Sequence, residues 1–179
     1  RRASFVDPFA GLRTGEHDVL VAWLPVEEAD LTVGPTLFKD SRILAVSADH
    51  ELATRTSVSL EIVADFPNGS GPQLPDYWED SYLPFQSPGG HAIERGAIVS
   101  NSDELIHLVA LAETVQVFPV HVTDHWAMPD VRWLPITDLP PLHYALVWRT
   151  ETEMIRAMAR VVRELGPLLR SRASRRRCD

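Results

Sequence analysis

Several short stretches of this sequence hold residue types that can do chemistry. Asn101-Ser102-Asp103-Glu104 sets a capping amide three residues ahead of a carboxylate, the spacing of a capping box and so of a helix start. The unpaired N–H groups of such a start, with the Asn101 and Ser102 side chains, suit a bound carboxylate or phosphate. Plain capping uses the same residues and explains them equally well, and the two readings can hold at once. His121 and His125 stand four apart with Asp124 beside them, a helical spacing for metal binding that lacks a third firm ligand. Gly69-Ser70-Gly71 has a nucleophile between glycines, but without a preceding strand or the residue pattern of a nucleophile elbow. Gly89-Gly90-His91 is too short for a phosphate loop. Arg95 reads as the partner of Glu94 or Asp65 in a surface ion pair. None of these patterns calls for a catalytic residue, a resident metal or a cofactor.

The elements that must position them alternate between strands and helices, which argues an α/β fold. Asp7 caps a helix opening at Pro8, with Phe9 and Leu12 on one face and Gly15 as its stop. The unbroken apolar run Val19–Leu24 reads as a strand covered on both faces, as in a parallel sheet. Leu37-Phe38 and Ile43–Val46 form a second pair of strands, and short helices or turns are expected at 49–53 and 59–63. The Pro- and Gly-rich stretch from Pro67 to Gly90 reads as a lightly structured excursion anchored by Tyr77, Trp78, Tyr82 and Phe85. Regular structure resumes with a strand at 97–99, the helix from Asn101 to about Glu113, and strands at 115–119, 133–136 and 144–148. A final helix runs from about Glu151 to Leu169, with Ile155, Met158, Val162, Leu165 and Leu169 at helical spacing.

Composition narrows the class. The 179 residues are 45% hydrophobic and 23% charged, ordinary for a soluble globular chain. No apolar run approaches the roughly 18 residues of a spanning helix, and the opening residues form no secretory signal. A single cysteine, Cys178, rules out a disulfide within the chain and makes a cytoplasmic protein the default. Net charge is -8, yet the last ten residues hold five arginines and one acid, leaving 12 basic against 24 acidic residues, or -12, for 1–169. A body so acidic is repelled by phosphate backbones, and the basic tail at 170–179 reads as flexible and solvated.

Three stretches in order resemble the effector-binding domain of LysR-type transcriptional regulators. They are Gly11-Leu12-Arg13-Thr14-Gly15-Glu16-His17-Asp18 with its apolar strand, Val46-Ser47-Ala48-Asp49-His50-Glu51-Leu52-Ala53, and Asn101–Leu105 through Val117-Phe118-Pro119 to Leu134–Asp138 and Leu146–Arg149. The resemblance spans about Arg2 to Leu169. It departs where Glu51 replaces a common proline, and where Leu111–Thr114 lacks the family's glycine-containing segment. What the resemblance implies is a two-lobed α/β fold like the type 2 periplasmic binding proteins, with two hinge crossover strands and truncated at its N-terminus. Lobe I would be 1–40 plus 146–169, and lobe II 41–145. It further implies that the chain senses a small, anionic or aromatic, metabolite to modulate DNA binding and transcription. DNA would be read only by a winged helix-turn-helix absent from this chain, the full-length protein would be a homo-oligomer, and no membrane would be involved. Candidate effector contacts are Phe5 and Asp7 ahead of the first helix, Trp23 ending the first strand, Asn101, Ser102, and Pro119. The alternatives are a small α/β hydrolase using a histidine with an acid, and a transport-type solute-binding protein.

Overall fold

The computed structural model describes residues 7–71, 74–126 and 128–175, of which 166–175 by backbone alone. In chain order the elements are α1 (Ala10–Thr14), β1 (Leu20–Trp23), β2 (Thr32–Asp40), β3 (Arg42–Ser47) and α2 (Leu60–Val63). Then come β4 (Asn68–Ser70), α3 (Asp76–Tyr82), β5 (Arg95–Ile98), α4 (Ser102–Ala110) and β6 (Gln116–Pro119). Last are β7 (Val131–Pro135), β8 (Leu142–Trp148) and α5 (Glu153–Arg175), with 3-10 turns at Glu51–Thr54 and Val120–Asp124. The first of two units holds Pro8–Lys39 and the chain from Leu142 onward, and the second holds Asp40–Pro141.

In the first unit β8 is the middle strand of the order β1-β8-β2. It pairs antiparallel with β1 from Leu20↔Val147 to Trp23↔Tyr144, so Tyr144 and Ala145, expected in lobe II, belong to this sheet. The apolar run of β1 is therefore an edge strand rather than a strand buried on both faces, and Val21 is 48% exposed. Apolar continuity does not separate the two cases, because edge strands also carry exposed apolar residues. α5 covers the sheet with Ile155 and Ala159, which pack with Leu146 and Trp148. Its backbone continues through Gly166 and Pro167 and past Leu169 to Arg175, so residues 170–175 of the expected flexible tail are helical; the rest of the tail, 176–179, lies outside the described residues. α1 starts at Ala10 with Phe9 as its N-cap residue, and the Phe9 carbonyl takes the amides of Leu12 and Arg13. Gly15 ends it in the left-handed conformation at φ 75°, as its position predicts.

The second unit is built on β3, every residue of which is buried. It lies between β6 and β7, antiparallel to both. One face carries Leu44 and Val46 with Leu52, Leu60 and Val63; the other carries Ile43 and Ala45 with Leu105, Ile106 and Val109 of α4. This is the period-2 alternation of a strand that is covered on both sides. A parallel bridge, Asn68↔Val115, joins β6 to β4, and β4 pairs in parallel with β5. The stretch 67–90 is thus more structured than its prolines suggest: it contributes a strand and α3, whose Trp78 is only 3% exposed. Pro75 stands just before α3, where a missing N–H costs nothing.

Candidate functional site

β4 and β5 run parallel and end together at Ser70↔Ile98, and α4 begins four residues beyond Ile98. The amide of Val99 donates to the Ser70 carbonyl at 3.1 Å, which fixes the connection. Carboxyl ends of parallel strands next to a helix start are where open α/β sheets bind small molecules. The Asn101 side chain accepts from the Glu104 amide at 2.8 Å, so the expected cap is present. Glu104 Oε2 returns to Ser100, accepting from its amide at 2.9 Å and its hydroxyl at 3.1 Å, one residue earlier than in a reciprocal capping box. The Ser102 and Asp103 amides are among those a helix cannot satisfy by itself. Asn101 is exposed and Ser102 half-buried.

Ser70 was read from sequence only as a nucleophile without its context. Its hydroxyl donates to Glu79 Oε1 at 2.7 Å, so it is bound to a carboxylate rather than to a histidine base. The same oxygen takes Arg95 Nε at 2.7 Å, which corrects the expected pairing of Arg95 with Glu94 or Asp65. Arg95 also donates to the Leu83 carbonyl at 2.6 Å and the Ile93 carbonyl at 3.1 Å, and its guanidinium lies 4.9 Å from the Phe85 ring centre. The partner is not Glu94 because α3, folded from the proline-rich stretch, delivers Glu79. That helix carries too few apolar residues to announce itself. Gln116, 5% exposed on β6, has an Oε1 without a hydrogen-bond partner among the described residues. That atom would stand 3.3 Å from a Cβ on Gly69, and Leu105 Cδ1 would stand 2.2 Å from it, so only glycine lets β4 lie this close to α4.

The remaining sequence candidates lie elsewhere. Pro119 ends β6 in register with Arg42 and is buried. Trp23 is half-buried in the first unit, opposite Tyr144. Asp7 stands two residues before Phe9, the N-cap residue of α1, and Phe5 lies outside the described residues. His121 donates its amide to Asp40 Oδ2 at 2.9 Å and sets its Nδ1 2.7 Å from the same oxygen. The described residues contain no group of three or more potential metal ligands. The loop at Gly89-Gly90-His91 wraps the Glu61 carboxylate, which accepts from the Ser87 hydroxyl at 2.7 Å and from the Gly89 amide. These bonds, the one from Ser87 foremost, hold Glu61 below the usual carboxylate range. His50 caps the turn at Glu51 by accepting from the Leu52 amide at Nδ1, and burial pushes its pKa down. No described helix is long and apolar enough to cross a membrane.

Comparison with known proteins places this geometry. The structure is similar to full-length OxyR C199D from Pseudomonas aeruginosa, with a TM-score of 0.65 and 25% identity, over 90% of this chain and 55% of that one. The chain thus spans about half the length of that regulator. It is similar to the OxyR regulatory domain C199D mutant from the same organism, with a TM-score of 0.66 and 25% identity, over 89% of this chain and 78% of that one. The effector-binding domain of QuiR in complex with shikimate shares the fold, with a TM-score of 0.64 and 17% identity, over 88% of this chain and 74% of that one. No curated protein matches the sequence. The LysR substrate binding domain, however, matches residues 3–170, nearly the whole chain, and the chain accordingly belongs to that family, with its type 2 periplasmic-binding-protein-like fold.

Proposed function

We propose that this chain is the ligand-sensing domain of a LysR-type transcriptional regulator, taking a small polar metabolite at the ends of β4 and β5 against the start of α4. The observation that carries this is the parallel pair ending at Ser70 and Ile98 beside amides that the helix leaves open. Asp103 and Glu104 stabilise the helix start and discourage a second full negative charge, so the donors suit a polar oxygen more than a phosphate. The similar OxyR structures include a reduced form; this chain has only Cys178, so occupancy by a ligand, not a disulfide within the chain, is the signal here. DNA is left to a helix-turn-helix elsewhere in an oligomeric, cytoplasmic regulator, in keeping with the -12 carried by residues 1–169.

The test is a thermal-shift screen of small metabolites, followed by calorimetric titration of each hit against Ser102→Ala and Trp23→Ala. Ser102→Ala should weaken a hit about tenfold with little change in Tm. Trp23→Ala should weaken an aromatic hit if the ring is a contact, and lower Tm alone if it is a packing residue. A screen without a single hit, or affinities indifferent to Ser102, would overturn the reading.

A further inference from the structure

We infer that α3 is a connecting rod between Ser70 at the end of β4 and the two crossings that join the units, gripped by Glu79 on one side and by Arg42 on the other. What sets the rod in motion rests on the sensing reading; the coupling itself belongs to the chain without a ligand. The chain crosses between its units twice, between Lys39 and Asp40 and between Pro141 and Leu142. Arg42, the buried first residue of β3, follows the first crossing and turns one edge of its guanidinium to the second. Nε donates to the Pro140 carbonyl at 3.1 Å, and Nη2 donates to the same oxygen. Pro140 and Pro141 have no N–H, so carbonyls are the only main-chain handles there, and Arg42 holds one of them.

The remaining nitrogen of the same guanidinium closes α3. Nη1 donates to the Ser81 carbonyl at 3.0 Å and to that of Tyr82, carbonyls that a helix end cannot satisfy by itself. One planar fork thus locks the end of α3 and the second crossing to the start of β3. Earlier on α3, Glu79 Oε1 takes the Ser70 hydroxyl and Arg95 Nε, both at 2.7 Å, from the last residue of β4 and the first of β5. Arg42, Glu79 and Arg95 are all largely buried, so water competes weakly for these bonds. The seven residues of α3 make about two turns, too short to absorb a displacement by bending. A shift of Glu79 is therefore delivered to Ser81 and Tyr82, and through Arg42 to both crossings.

The test is amide hydrogen exchange, read residue by residue by NMR on the 179-residue chain without ligand. Glu79→Gln weakens the grip on Ser70 and Arg95, and exchange should rise about tenfold at the amides of 40–42, Leu139 and Leu142 while β6 and β7 hold. In Arg42→Lys, whose single ammonium cannot hold both edges, the crossings should be loose already, and adding Glu79→Gln should change them little. Should Arg42→Lys not fold, Ser70→Ala releases the rod from its other end, and exchange at the crossings should rise again. A merely structural network would keep the effect of Glu79→Gln within β4, α3 and β5, or raise exchange in β6 and β7 as much as at the crossings. Either result, or full additivity in the double variant, would overturn the inference and leave the sensing reading standing, since no effector takes part. An empty metabolite screen would overturn sensing and leave the measured coupling intact.

Discussion

Two arginines, one in each unit, are anchored in opposite ways. Arg42 of the second unit is 4% exposed and donates to three backbone carbonyls, Pro140 through Nε at 3.1 Å, Ser81 at 3.0 Å and Tyr82. Arg13 of the first unit has a side chain 37% exposed and meets two carboxylates, Asp30 at 2.9 Å and Glu28. The hydrogen bond that Arg13 donates to Asp30, then that to Glu28, raises the Arg13 pKa, and the same bond to Asp30 holds Asp30 below its usual range. By formal charge Arg13 has the stronger partners. By environment Arg42 does, because the carbonyls it satisfies have no water to fall back on, whereas every group around Arg13 does. Yet each unit combines a buried central strand, β3 or β8, with exposed apolar side chains, Ile98 and Leu111 at 71% and 68% in the second and Met154 and Val21 at 71% and 48% in the first, so the contrast lies in the two anchors.

The largest expected effect follows from Arg42. Arg42→Met keeps much of the side-chain volume but strands the carbonyls of Pro140, Ser81 and Tyr82 in the interior. The cost should be about 3–4 kcal/mol, read as a fall in the denaturation midpoint at unchanged m-value. A loss near zero would mean that water reaches those carbonyls, and the contrast with Arg13 would collapse.

The next effect concerns how tightly the second unit is packed between β4 and α4. Gly69→Ala places a methyl 2.2 Å from Leu105 Cδ1, so β4 or α4 must give way at a cost of about 1–3 kcal/mol. Leu105→Ala alone should cost about 2–5 kcal/mol, since the side chain is 2% exposed. The double variant should cost clearly less than the sum, because the truncated leucine frees the space that the new methyl needs. Strict additivity in urea unfolding would show that the two positions are not pressed together.

How much of this was legible beforehand varies with how local the signal is. The α4 cap could be read from Asn101 and Glu104, because a cap is decided within four residues. The Gly15 stop was equally plain. Ser70 was not, because what makes it a candidate is β5 beside it and Glu79 beneath it, 28 residues and nine residues away. The partner of Arg95 was misread for the same reason: adjacency in sequence favoured Glu94, while α3 brought Glu79 from 16 residues away. β1 was misread on a different ground. A run of apolar residues reports hydrophobicity, and whether a strand lies at an edge is decided by its neighbours, here β8 alone among the described residues.

The smallest effect completes the comparison. Arg13→Ala removes an ion pair with Asp30 and Glu28 that water can replace, so the denaturation midpoint should barely move, far less than for Arg42→Met. What contribution exists has a definite sign with pH. Asp30 is held below its unfolded value, so its share is fully present above the ordinary carboxylate pKa near 4 and is lost as pH falls through the depressed folded value. Molar salt should erase the remainder, because exposed charges are screened within a few ångströms at that ionic strength. Unfolding of both arginine variants at low and high salt provides the check. Salt should narrow the gap between wild type and Arg13→Ala while leaving that of Arg42→Met unchanged, since no mobile ion reaches a guanidinium 4% exposed. Equal salt sensitivity in the two variants would place both arginines in the same environment and remove the distinction between the two anchors.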